Sequence, residues 1–163
     1  MAFTIREATE SDVPLILQFI RDLAEYERLL DVVMATEDFL RATLFGEHRF
    51  AEVLIAEEDG TAAGFALFFH NYSTFLAQPG IYLEDLFVKP EYRGRGYGKA
   101  LLARLAQLAR ERNCGRVEWA VLDWNEPSIN FYKALGAQVM DEWHTFRLTG
   151  DALHKLAGPP RAT

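Results

Sequence analysis

The stretch Pro90–Ala100, PEYRGRGYGKA, sets glycines at positions 94, 96 and 98 among arginines and runs directly into KALLARLAQLARERN. Glycine at the mouth of a helix costs conformational entropy, so the turn suggests that another group approaches the main chain closely. A helix start offers unpaired N–H groups and the positive end of the helix dipole, which makes a phosphate the first candidate. Two common phosphate loops are excluded by spacing. A Walker loop needs glycine where Arg93 stands and a hydroxyl where Ala100 stands, and a dinucleotide fingerprint beginning at Gly94 needs a small residue where Lys99 stands. What remains is Arg93, Gly96 and Gly98, an R-x-x-G-x-G spacing between strand and helix that suits a pyrophosphate. From spacing alone, a flexible turn with solvated arginines stays open as the alternative.

Upstream, FTIREA alternates as a short strand, and Thr9 with Asp12 has capping-box spacing ahead of a helix expected to reach Tyr26. Thr36 opens a second helix that Gly46 stops. FAEVLIAEEDGTAAGFALFFHNY reads as a hairpin turning at Asp59-Gly60, and GIYLEDLFV as a further strand. Downstream, Leu101, Leu102, Leu105, Leu108 and Ala109 share one helical face. GRVEWAVL follows as a strand. Asn125 caps a helix with Pro127 in its first turn and Gly136 at its end. Two last strands are expected near Gln138–Asp141 and Trp143–Thr149. This order predicts an α/β (α+β) chain with a mixed sheet flanked by helices, forming one domain over 1–157 with a flexible tail over 158–163.

Acidic residues outnumber basic ones by 24 to 17, a net charge of −7, which speaks against nucleic acid or anionic membrane as partner. The one cysteine, Cys114, and an N-terminus without a secretory pattern point to the cytoplasm. No apolar run approaches the length of a membrane span. The four histidines are scattered without metal-ligand spacing, so no metal is expected.

The R-x-x-G-x-G turn followed by GKALL resembles the acyl-CoA loop of the Gcn5-related N-acetyltransferase (GNAT) superfamily, and the strand and helix order is similar to that fold from end to end. Within it, YLEDLFV, PEYRGRGYG, VLDWNEPSINFYKALGA and LAEYE resemble the spermidine/spermine acetyltransferases and the thialysine acetyltransferases. The resemblance implies a mixed, mostly antiparallel sheet, acetyl-CoA as cosubstrate, a small-molecule amine as acceptor and a homodimer. It implies direct acetyl transfer from acetyl-CoA to the amine in a ternary complex. A non-catalytic acyl-CoA-binding module, or transfer to a protein amine, is the alternative.

Acetyl transfer needs a neutral amine, and deprotonating a lysine-like amine of pKa ~10.4 at pH 7 costs about 4 to 5 kcal/mol. Glu84 and Asp85 are adjacent on one strand, where alternation predicts that they face opposite sides and do not act as a pair. The resemblance implies that Glu84 binds the amine and relays its proton through water, with Asp85 adding negative potential. It implies that the Leu86, Phe87 and Val88 segment takes the pantetheine arm through backbone amides. It further implies that Arg93, Gly94, Arg95, Gly96, Tyr97, Gly98 and Lys99 form the phosphate loop, and that Asn125, Pro127 and Ser128 contact the coenzyme. Tyr132 matches the family's proton donor to the leaving thiolate, a transfer uphill by only about 2 kcal/mol for ordinary tyrosine and thiol pKa values. Spacing alone equally allows Tyr132 as a core aromatic. Tyr26, Glu27, Glu118, Trp119, Ala120 and Asp141 match substrate-lining positions, with Glu142 an alternative to Asp141. Ser73 and Phe75 stand where the polyamine branch has an acid and a tryptophan, which favours an acceptor smaller than a polyamine.

Overall fold

The computed structural model describes residues 2–161. The chain divides into two compact units, one running through Leu122 and one from Asp123 onward.

The first unit is built on a five-stranded sheet whose spatial order follows the chain: β1 (Phe3–Glu7), β2 (Glu52–Glu58), β3 (Thr61–Ser73), β4 (Gln78–Val88) and β5 (Val117–Trp119). The first four strands are antiparallel, and β5 joins β4 in parallel. Parallel pairing requires a crossover, and α3 (Tyr97–Glu111) supplies it. The hairpin expected at Asp59-Gly60 forms, with φ of 50° and 79° at those residues, the pair of left-handed conformations that matches strand twist.

Both sheet faces are covered. On one face α1 (Val13–Tyr26) and α2 (Glu37–Leu44) pack Val13, Ile16, Phe19 and Leu40 against Val53, Ile55, Phe65 and Phe87. Alternation then turns Leu54 and Ala56 to the other face, where Leu101 and Leu105 of α3 are fully buried. The capping box forms at the entrance to α1, where the Thr9 N–H donates to Asp12 Oδ2 at 2.7 Å.

The β3–β4 ladder carries an irregularity that decides the geometry of the site. Leu67 lies opposite Asp85 and the next residue, Phe68, lies opposite Leu83, leaving Glu84 without a partner. This is a β-bulge, which shifts the phase of the strand by one residue. The hydrogen bonds report the same shift. Ile81 donates its N–H to Arg116 O beside β5, whereas Lys89, an even number of residues on, donates to Ala63 O on the β3 side.

The second unit contains α4 (Glu126–Ala134) and α5 (Gly150–Ala157). The Asn125 side chain caps α4, accepting from the Ser128 N–H at 3.4 Å, and Gly136 takes φ +94° just past its end. The two strands expected near Gln138–Asp141 and Trp143–Thr149 do not form: these residues are turn and irregular backbone, and α5 follows them. Their alternation has no neighbouring strand to pair with among the described residues, and Trp143 and Phe146 stand exposed at 73% and 95%. The β5 ladder is also shorter than the GRVEWAVL pattern suggests, ending at Trp119. Of the tail expected over 158–163, Ala162 and Thr163 lie outside the described residues.

Candidate active site

The bulge corrects one expectation from the sequence. Asp85 shares the ladder position of Leu67, and Leu67 packs with the α1 cluster, as does Phe87 two residues on. Leu83 instead pairs with Phe68, whose ring lies 5.9 Å beneath the Arg112 guanidinium at the end of α3. The strand therefore changes phase at Glu84, and the extra residue brings Glu84 and Asp85 to the same side rather than to opposite faces.

Glu27, immediately after α1, joins them. Burial pushes the Asp85 carboxyl up to about 7, helped by the negative charges of Glu84 and Glu27. Glu27 is raised in turn, by burial first and then by Glu84. Tyr82, two residues before Glu84, is raised by burial and by the charges of Glu84 and Glu118. Among the described residues, none of the ion pairs involves Glu27, Glu84 or Asp85. Negative charge therefore accumulates around Asp85, and burial keeps it from being fully solvated. Tyr82 escaped sequence reading because a tyrosine on a strand carries no signal of its own, although its spacing from Glu84 places it beside that residue.

Glu118 is more constrained. It lies opposite Tyr82 on β5, and its Oε1 accepts from Asn71 Nδ2 at 3.1 Å and meets Arg116 Nε at 3.2 Å. Trp119 follows on the same strand, half-buried, and Ala120 lies just beyond it.

The other half of the site is the open edge of β4. Pairing to β5 stops at Leu83, while β4 continues to Val88. Since the Lys89 N–H points to β3, alternation directs the N–H groups of Leu86 and Val88 to the opposite, unpaired edge. The Val88 carbonyl on that edge accepts from Arg93 Nε at 2.9 Å. The Arg93 guanidinium lies 5.2 Å from the Tyr26 ring centroid and 5.3 Å from that of Phe87, so it ties the end of α1 to the turn after β4.

The turn itself runs from a short 3₁₀ segment, Pro90–Tyr92, into α3. Gly94 and Gly96 adopt φ of +79° and +82°, which explains both glycines by backbone conformation. Gly98 has no such reason. Its φ is ordinary for a helix, and a methyl group placed there would meet nothing nearer than Val88 Cγ2 at 3.9 Å. Glycine in the first turn of a helix costs about 1 kcal/mol relative to alanine, so a residue that neither conformation nor packing requires points to a group that approaches from outside the chain. The Lys99 side chain follows on α3. Arg95 pairs with the buried Glu58 at 2.5 Å.

In the second unit, Asn125, Pro127 and Ser128 make the N-terminal turn of α4, and Tyr132 lies on that helix with its ring 5.5 Å from Phe131. Asp141 sits in the exposed turn beyond it. Among the described residues no group of three or more His, Cys, Asp or Glu could hold a metal ion, and no helix is long and apolar enough to cross a membrane.

The model of the acetyltransferase (GNAT) family matches residues 17–137. The chain is 45% identical to the thialysine N-epsilon-acetyltransferase of Bos taurus, with 97% of this chain and 99% of that protein aligned. It is 38% identical to an L-ornithine N5-acetyltransferase of Arabidopsis thaliana, covering 93% of this chain and 86% of that one. Among solved structures, an integron cassette protein from the mobile metagenome of V. cholerae superposes with a TM-score of 0.82 at 30% identity, covering 98% and 99% of the two chains.

Proposed function

Since this chain belongs to the acetyltransferase (GNAT) family and is an amine N-acetyltransferase, we propose that its acceptor is the terminal primary amine of a short basic amino acid of the thialysine type. The carrying observation is the Asp85 carboxyl, raised by burial and by the negative charges of its bulge neighbour Glu84 and of Glu27 at the end of α1, with no ion pair to any of the three among the described residues. Such a group attracts an ammonium ion. The Asp85 carboxyl, held near neutrality, is also suited to take a proton from it. Ser73, which accepts from the Leu76 N–H, and Phe75 supply no charge for the far end of a long polyamine, which favours a short acceptor. The names of the thialysine and ornithine acetyltransferase relatives lean the same way.

Acetyl-CoA is the second substrate and supplies an activated acetyl thioester. In the mechanism we assign, Glu84 holds the amine and passes its proton through water, with Asp85 sharing that proton. The neutral nitrogen then attacks the thioester carbonyl carbon. The N–H groups of Leu86 and Val88 stabilise negative charge on the carbonyl oxygen. The C–S bond breaks, and Tyr132 gives its proton to the departing sulfur. Tyr26, Trp119, Ala120 and Glu118 line the acceptor site, with Asp141 a further acidic contact. The Arg93–Lys99 turn takes the pyrophosphate, while the Phe87 segment, Asn125, Pro127 and Ser128 hold the pantetheine arm. No step calls for a metal.

We assign a homodimer as the working form, on the exposed Val139, Met140, Trp143, Phe146 and Leu148, an apolar surface that a second copy would cover. We assign the cytoplasm as its compartment on the single Cys114.

The test is release of free thiol from acetyl-CoA with a panel of thialysine, ornithine, lysine, putrescine and spermidine. The highest kcat/KM is expected for thialysine. A preference for spermidine would overturn the acceptor assignment.

A further inference from the structure

We propose that Glu58, at the end of β2, is a positioning residue for the coenzyme: it locks the Arg93–Gly98 turn into the shape that presents its amides to a pyrophosphate, a role that rests on the reading of that turn as the acetyl-CoA loop. Glu58 is distant in sequence from the turn and outside every motif that the loop displays. Its carboxylate is buried, and a single oxygen, Oε1, accepts from two residues of the turn, the Tyr97 hydroxyl and Arg95 Nη1, the latter at 2.5 Å.

Each donor is held on its far side. Arg95 Nη2 reaches Glu91 O at 3.3 Å, and the guanidinium lies 5.4 Å from the Tyr92 ring centroid. The Tyr97 ring stacks on Phe3 of β1, with centroids 4.1 Å apart and planes within 11°. One carboxylate thus gathers the 3₁₀ segment, the middle of the turn and the first residue of α3 onto the β1–β2 edge of the sheet. The two donors favour the ionised form of Glu58, Tyr97 first and Arg95 second, and Glu58 in turn raises the Tyr97 hydroxyl, which stays a donor at neutral pH.

Two consequences follow for phosphate binding. The Arg95 charge is matched by Glu58, which leaves the backbone N–H groups between Gly94 and Gly98 as the main phosphate-binding groups of this turn. A turn containing two left-handed glycines is also among the freest stretches of backbone a chain can have. Unless something fixes it beforehand, its ordering cost falls on ligand binding. Glu58 fixes it beforehand.

The experiment uses the full-length protein, with Glu58→Gln and Tyr97→Phe each compared with wild type. CoA binding is followed by calorimetry and kinetics are run with acetyl-CoA and with S-acetylpantetheine, a thioester donor that lacks the pyrophosphate. Removing the charge that both hydrogen bonds depend on predicts that Glu58→Gln raises the CoA Kd and the acetyl-CoA KM about tenfold. Its kcat at saturation and its kcat/KM for S-acetylpantetheine stay at the wild-type values. Tyr97→Phe removes one of the two tethers and weakens CoA binding less, by about threefold. Wild-type protein that fails to bind CoA overturns the acetyl-CoA loop itself. Wild type that binds while both variants bind equally well or more tightly overturns the role of Glu58 alone. An equal loss with both thioester donors also overturns it, because the damage would then be general. If Glu58→Gln does not fold, as judged by circular dichroism, the Tyr97→Phe result decides on the same criteria.

Discussion

Asp85 stands opposite Leu67 across the β3–β4 ladder, one step out of phase with Leu83, which stands opposite Phe68. The phase change turns two neighbouring acids into a pair on one side, and the shared burial and repulsion hold the Asp85 carboxyl near neutrality. A single extra residue in β4 therefore underlies both the amine site and the proton acceptor that we propose. The same shift turns the N–H groups of Leu86 and Val88 to the open edge, where we place the thioester carbonyl.

Asp85 predicts an unusual dependence of stability on pH. Its folded pKa, about 7, is raised above the ordinary 3.8, so between those values the folded state binds a proton that the unfolded state does not. Stability should fall as pH rises through that window, by about 4 kcal/mol for this group. Asp85→Asn should match wild type near pH 4 and exceed it at pH 8 in urea melts. The same variant should lose the limb of the kcat/KM profile that turns near pH 7. A wild-type profile without a limb in that region would remove Asp85 from the proton path.

Gly98 predicts opposite signs for stability and binding. Alanine at this helical position meets nothing closer than 3.9 Å and restricts the unfolded chain, so Gly98→Ala should stabilise the protein by about 0.5 to 1 kcal/mol. Its methyl group would nevertheless occupy space through which the pyrophosphate must approach the amides. Calorimetry should show weaker CoA binding alongside a raised thermal midpoint. Unchanged affinity would mean that no ligand comes close to Gly98.

The Asp12 carboxylate ties α1 to β1. It takes two hydrogen bonds from Arg6, at 2.8 and 2.9 Å, and one from the Thr9 N–H, and the Arg6 guanidinium holds its carboxyl down at about 2. A depressed folded pKa contributes stability that is full above the unfolded value near 4 and is lost as pH falls toward 2. Asp12→Asn should cost about 1 to 3 kcal/mol at pH 7 and close to nothing at pH 2. Urea melts at the two pH values check this.

The features legible in the sequence are those that single residues or short spacings impose. Left-handed backbone at Gly136, the Asn125 cap and the Asp59-Gly60 hairpin all follow from local chemistry, and the structure has each of them, whereas at Gly94 and Gly96 the pattern suggests close approach of another group and the left-handed backbone already accounts for the glycines. The bulge at Glu84 was illegible because register belongs to a pair of strands, and alternation in one strand cannot reveal a slip against the other. The same limit explains the segment from Gln138 to Thr149. Its pattern describes a two-faced extended chain but not whether a neighbour exists, and no strand pairs with it among the described residues. Gly150, a poor helix former at the start of α5, hid that helix. Glu58 was invisible because its partners lie 37 and 39 residues away.

Tyr132 carries the last prediction. Its place on α4, beside Phe131, suits both a packing role and the donor role we assign to it, and the hydroxyl separates the two. Tyr132→Phe keeps the ring and removes only the proton. If the hydroxyl protonates the departing sulfur, kcat should drop by about 10²- to 10⁴-fold, the usual contribution of a positioned acid, with CoA affinity little changed. The loss should shrink with a thioester whose thiol is more acidic, because a better leaving group needs less help from an acid. Packing alone predicts the reverse, a fall in thermal midpoint with turnover nearly intact. Measuring kcat with the two thioesters and the midpoint on one preparation distinguishes these outcomes, and wild-type turnover in Tyr132→Phe would assign the proton to another donor.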